Sequence, residues 1–240
     1  AVDSVMLCSE PFSVAYGLDW LEDVRSNASA VSRRTQSLTG RRSVKGPWKT
    51  AWLLHAIQCI DLTTLSSDDT PKRVQRLCAK ARQPIRPELM KSLGIESINL
   101  QVGAVCVYHA FVNTAVIALK NTNIPVAAVA AGFPHGLSPI SAKLDEIRAS
   151  VEEGAQEIDI VISRHHVLTG NWTALYDEVA AFKEACGEAH LKTILGTGDL
   201  GTFRNVAKAS WVCLMAGADF IKTSTGKEAV NATLPVTLVM

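Results

Sequence analysis

Between Val102 and Ser224 the chain alternates short, mostly apolar runs with stretches in which apolar residues recur every three or four positions. That alternation constrains the fold more than any other feature. The runs V-G-A-V-C-V-Y (102–108), P-V-A-A-V-A-A (125–131), E-I-D-I-V-I-S (157–163) and L-K-T-I-L (191–195) have strand length and lack the polar alternation of a half-exposed strand. Such runs are buried on both faces. Between them lie helical patterns: residues 112–120, Ile140, Leu144, Ile147 and Val151 closed by Gly154, an Asn171-capped stretch through Cys186, and Phe203 to Met215.

Upstream, C-I-D-L-T-T-L (59–65) reads as a first strand, with a helix from about Thr50 before it. Asp68-Asp69-Thr70-Pro71 opens a helix through Arg82, and a shorter one runs from Pro87 to Leu93. Downstream, Phe220 to Ser224 is a sixth, buried strand. Six strands, each followed by a helix except where the chain ends, imply a parallel sheet covered by helices. The candidates are a doubly wound sheet and a (β/α)8 TIM barrel. No G-x-G-x-x-G follows any strand, and polar residues recur at the strands' carboxyl ends, where barrels build their sites. The expected architecture is therefore α/β, a barrel with about six of eight βα units present. The sequence starts at Ala1 and stops at Met240 within an apolar run, as if both ends were cut.

Residues 1–49 lack sustained periodicity and read as an extension, partly disordered or helical, before a barrel domain at 50–240. Arg33, Arg34, Arg41, Arg42, Lys45 and Lys49 in this segment suit a solvated surface better than an acidic partner. A net charge of +1 gives no electrostatic footprint for nucleic acid or a membrane surface, so a small molecule is the expected partner. Six cysteines lack metal-ligand or secreted-framework spacing and point to a reducing compartment, taken as the cytoplasm. Their spacing suggests no metal site.

Several strands deliver polar groups toward one rim: Asp61 and Thr63 from the first, Asp159 from the fourth, Lys192 from the fifth and Lys222 from the sixth. Asp159 lies in the middle of an apolar strand, where an unpaired carboxylate is severely penalised. Lys222 ends its strand just before the hydroxyl- and glycine-rich T-S-T-G. At the ordinary lysine pKa of about 10.4, roughly one amine in 2,500 is free at pH 7. Burial that lowered the pKa by about three units would free half of them, the usual route to a Schiff-base nucleophile. The plainer readings are a snorkelling lysine at a strand end and a structural Asp–Lys tie.

The stretch D-F-I-K-T-S-T-G-K (219–227), with N-A-T at 231–233 behind it, resembles the signature of the deoxyribose-phosphate aldolases. So do I-D-L-T-T-L (60–65), D-D-T (68–70), C-V-Y (106–108), A-G-F-P-H-G (131–136) and E-I-D-I-V-I (157–162), in collinear order from about Trp52 to Met240. His109 and Ser163 stand where the family more often has proline and asparagine. The resemblance implies a class I aldolase with no metal or other cofactor, a carbon–carbon lyase that reversibly cleaves 2-deoxy-D-ribose 5-phosphate to acetaldehyde and D-glyceraldehyde 3-phosphate. Its partner would be this phosphorylated sugar, and it would be compatible with a homo-oligomer. Lys222 would form the imine and Asp159 would belong to the proton relay. Lys192, Asp61, Thr63, Cys106, Thr225, Gly226 and Lys227 would line the substrate site, with Lys227 helping to neutralise the phosphate. The second lysine of the family's G-F-K-P-A-G-G motif and its later serine loop do not occur in these 240 residues, which implies weak or no turnover for them alone. A truncated, non-catalytic relative acting by binding or assembly is the alternative, and a transaldolase-like enzyme fits the motifs less well.

Overall fold

The computed structural model describes residues 17–41 and 43–240. In chain order its elements are α1 (Ala28–Thr39), α2 (Gly46–Gln58), β1 (Asp61–Thr63), α3 (Pro71–Arg82), α4 (Pro87–Leu93), β2 (Ala104–Tyr108), α5 (Val112–Ala118), β3 (Val126–Ala130) and α6 (Ile140–Glu152). They continue with β4 (Glu157–Val161), α7 (Arg164–Leu168), α8 (Trp172–Cys186), β5 (His190–Ile194), α9 (Phe203–Met215), β6 (Phe220–Lys222) and α10 (Leu234–Val239).

The six strands form one sheet in the order β1-β2-β3-β4-β5-β6, every pair parallel. A doubly wound sheet would reverse its strand order at a switch point, and this one does not. The sheet is instead six βα units of a (β/α)8 barrel, curled so that Asp61 on β1 reaches the lysines of β5 and β6.

Curvature gives each strand two unlike faces. Val105, Val107, Ala128, Ala130, Ile158, Ile160 and Leu191 point outward into the main core beneath the helices. Cys106, Ala127 and Val129 point inward and pack with Leu65, Tyr108 and Phe133. The helices follow the same logic: on α8, Leu175, Val179, Phe182 and Cys186 recur at four, three and four and are all buried. Each side chain of that size contributes about 1.5–3 kcal/mol on leaving water. Asn171 caps α8 by accepting from the Ala174 N–H, as its position in the sequence predicts.

Several expectations need correction. The first strand keeps only Asp61–Thr63 and the last only Phe220–Lys222, because each is an edge strand with one partner. For the same reason β6 is only partly covered, with Phe220 49% exposed. The helix expected from Thr50 starts at Gly46, with Pro47 in its first turn, and Trp48, Trp52 and Leu53 on it are exposed. The last strand is followed by a helix after all, α10, capped by the Thr233 hydroxyl and carrying Pro235 in its first turn.

Before α1, residues Leu18–Asp23 form a short 3-10 helix that straps across α9. Leu21 is fully buried, Trp20 meets Trp211 edge to face, and Arg204 donates to the carbonyls of Glu22 and Val24. Arg42, together with Cys8 and the rest of residues 1–16, lies outside the described residues. Among the described residues no helix is long and apolar enough to cross a membrane.

Candidate active site

Period-two alternation along a strand fixes which residues share the inner face. On β4 these are Glu157 and Asp159, on β5 Lys192, and on β6 Lys222. The register sets Asp159 beside Lys192, and Ile194 beside Lys222. Lys222 thus sits one step nearer the rim than Lys192, and its amine contacts Asp159 directly. Asp61 Oδ2 lies 3.0 Å from Lys192 Nζ and 3.4 Å from Lys222 Nζ. Lys192 also pairs with Glu157 and lies 3.7 Å from Asp159.

Two lysines therefore face three carboxylates, and with every group ionised the cluster carries one excess negative charge. Burial raises the Asp159 carboxyl above its ordinary range, although Lys222 and Lys192 oppose that. The lysines carry the complementary imprint. Burial works to lower Lys222, but Asp159, by charge and hydrogen bond, outweighs it, with help from Asp61, and the ammonium is held above its ordinary range. Lys192 is raised in the same way. The expected resting depression of Lys222 is thus reversed, because adjacent carboxylates overcome desolvation.

Asp159 is the carboxylate in direct contact with the Lys222 amine, and its burial favours the neutral acid. Asp159 Oδ1 and Asp61 Oδ1 are buried oxygens that accept no hydrogen bond from the described residues, so each has a lone pair open to a proton.

Of this cluster Lys222 lines a pocket of about 270 Å³, together with Thr63, Leu65, Cys106, Phe133 and Gly226, among others. Cys106 Sγ is 4.0 Å from Asp159 Oδ2, and burial followed by the Asp159 charge pushes its thiol well above the ordinary range. Beyond Lys222, Thr225 and Gly226 line the same pocket. Thr225 gives both its N–H and its hydroxyl to Glu228. Lys227 is exposed and donates to the Leu65 carbonyl (2.9 Å) across the mouth. Among the described residues, no group of three or more His, Cys, Asp or Glu side chains is placed to hold a metal ion.

The structure brings together Lys222, Asp159, Lys192, Asp61, Thr63, Cys106, Thr225 and Gly226, and sets Lys227 at the rim. Sequence reasoning missed Glu157, although its place two residues before Asp159 puts it on the same face. It also missed two buried ties behind the rim. Lys143 on α6 pairs with Glu178 on α8 (2.8 Å), and both hold the Ser163 hydroxyl at the end of β4. Arg164 at the start of α7 pairs with Glu228.

A half-barrel with paired lysines and carboxylates at the carboxyl ends of its strands, and a hydroxyl- and glycine-rich loop beside them, is an arrangement shared with barrel aldolases. Residues 55–240 match the DeoC/LacD family aldolase profile. The chain is 58% identical to the deoxyribose-phosphate aldolase of Homo sapiens over 225 residues, which cover 93% of this chain and 71% of that protein. With the deoxyribose-phosphate aldolase of Mus musculus it shares 59% over the same coverage. A solved structure described as a putative deoxyribose-phosphate aldolase from Coccidioides immitis superposes with a TM-score of 0.68 at 25% identity, over 89% of this chain and 79% of that one. The chain belongs to the DeoC/LacD family of aldolases.

Proposed function

We propose that this chain is a Schiff-base aldolase that cleaves 2-deoxy-D-ribose 5-phosphate to acetaldehyde and D-glyceraldehyde 3-phosphate, with Lys222 as the nucleophile. The observation that carries the reading is the contact between the Lys222 amine and the buried Asp159 carboxylate at the wall of the pocket. Transfer of one proton from Lys222 to Asp159 gives a neutral amine and a neutral acid, a charge-conserving step within a buried pair. The amine adds to the aldehyde carbon of the open-chain sugar, and loss of water leaves a protonated imine.

That imine draws the electron pair of the C2–C3 bond toward nitrogen as a base removes the proton of the C3 hydroxyl. The bond breaks, C3 becomes the aldehyde of glyceraldehyde 3-phosphate, and the enamine left on Lys222 takes a proton at C2. Water then hydrolyses the new imine and releases acetaldehyde. Asp159 is the acid and base nearest the reacting nitrogen, while Lys192 is the countercharge beside Asp61, Glu157 and Asp159. The loop Thr225–Lys227 receives the phosphate, with Lys227 as its countercharge. We take residues 50–240 as the barrel domain and residues 1–49 as an extension to it. Four buried free thiols, Cys78, Cys106, Cys186 and Cys213, support a reducing, cytoplasmic setting.

The test is chemical. Acetaldehyde with borohydride should leave an ethyl group on Lys222, located by digestion and mass spectrometry, and Lys222→Arg should abolish it. An unmodified Lys222 in the folded protein would sink the assignment.

A further inference from the structure

The loop that follows Lys222 is held from behind by a residue of another strand's loop. Arg164, the first residue of α7, reaches past the β5 loop to Glu228, with its Nη2 2.6 Å from Oε1. Its Nη1 lies 3.4 Å from Asp199, and its Nη2 3.5 Å from the Pro134 carbonyl. Glu228, nearly fully buried, accepts the Thr225 N–H on both oxygens (3.2 and 3.0 Å) and the Thr225 hydroxyl at 2.7 Å.

The β5 loop is shaped to let this happen. A Cβ at Gly196 would stand 2.1 Å from Arg164 Nε, and one at Gly198 would stand 2.2 Å from the Val230 carbonyl oxygen. Gly196 also has φ +65°, where a side chain is strained. The sequence G-T-G-D (196–199) thus opens a passage for the guanidinium and a seat for the turn behind Glu228.

We propose that Arg164 is a positioning residue, which through Glu228 fixes the loop Thr225–Gly226–Lys227 and cancels a carboxylate charge that would otherwise repel the phosphate end of the sugar. The inference rests on the assignment of that loop to the phosphate group. A loop tie alone would need no charge, since neutral groups can satisfy the Thr225 donors. What singles out charge is the pairing of a buried carboxylate, set immediately behind an anion-receiving loop, with a guanidinium threaded to it from two strands away. An unpaired buried carboxylate there would act against any anion the loop received.

The test compares ligands that differ only in the phosphate. Borohydride trapping on Lys222 is titrated with 2-deoxy-D-ribose 5-phosphate and with 2-deoxy-D-ribose, in wild type, Arg164→Met and Glu228→Gln. For Arg164→Met the half-saturating concentration of the phosphorylated sugar should rise by about 10–100-fold, the range expected on losing a charge-assisted contact. For the unphosphorylated sugar the change should stay within about threefold. Glu228→Gln keeps an acceptor for Thr225 and leaves the guanidinium facing the loop, so affinity for the phosphorylated sugar should hold or improve.

A tie of purely structural value would weaken both variants alike and both sugars alike, and either result overturns the proposal. If Arg164→Met does not fold, Glu228→Gln decides alone: a loss of tenfold or more for the phosphorylated sugar refutes it, and unchanged or tighter binding supports it. Wild-type protein that traps neither sugar would refute the aldolase assignment instead, which is a separate outcome.

Discussion

Asp159 and Lys222 touch although their strands are not neighbours: β5 lies between β4 and β6, and the curl of the sheet brings the two side chains together over it. A flat sheet would hold them about two strand spacings apart, roughly 10 Å. The pair therefore exists only in a correctly curved barrel wall, and its titration reports on that wall as well as on chemistry.

Removing the carboxylate should separate its two effects. Asp159 holds the Lys222 ammonium up, so Asp159→Asn should let the lysine pKa fall and move the rise of imine formation to lower pH. Turnover should nonetheless drop by about 10²–10⁴-fold, because the proposed acid and base is gone. The check is the rate of acetaldehyde trapping on Lys222 as a function of pH, beside steady-state cleavage; an unmoved or upward profile contradicts the electrostatic assignment.

Lys192→Met should act with the opposite sign. Lys192 answers Asp61, Glu157 and Asp159, and without it Lys222 alone faces all three. The Lys222 profile should move to higher pH, and the fold should lose about 3–5 kcal/mol, as expected when buried carboxylates are left unpaired. Chemical denaturation and the same trapping titration give both numbers, and a profile shifted toward acid would count against the scheme.

Away from the pocket, Lys143 and Glu178 form a buried pair that closes on the Ser163 hydroxyl and N–H. Lys143→Met should cost about 3–5 kcal/mol by stranding Glu178, whereas the double change Lys143→Met with Glu178→Leu should cost less. Urea unfolding of the single and double variants tests this. Equal losses would show that the pair does not act as one unit.

Gly198 gives a purely steric prediction. Its Cβ would meet the Val230 carbonyl oxygen, a backbone atom that cannot swing aside as a side chain would. Gly198→Ala should destabilise the protein by about 1–3 kcal/mol. A melting curve that overlays the wild type would mean the turn yields more easily than its packing implies.

The central strands were legible because burial on two faces erases polar alternation, so β2 to β5 appear as plain apolar runs. β1 and β6 were overextended because an edge strand pairs on one side alone and its ladder ends early, which no residue pattern marks. Asp159, Lys192 and Lys222 stood out as charged residues in apolar surroundings, yet their charge balance did not, since it depends on Asp61 arriving from the far edge of the sheet and on Glu157 on the same face of β4. For that reason the direction of the Lys222 shift could not be read from its own strand. Arg164 and Glu228 were hidden more deeply. They are 64 residues apart and joined across a glycine gap, which no local pattern marks. The exposed tryptophans of α2 show the same limit, because helical spacing signals a face without saying what covers it.

One ammonium joins the two ends of the sheet at its mouth, where Lys227 beyond β6 holds the Leu65 carbonyl beyond β1. Any anion that draws Lys227 inward must compete with that carbonyl, so aperture and occupancy are linked quantities. By reciprocity, whatever factor an anion takes from the Leu65 contact, the contact takes from the anion's affinity.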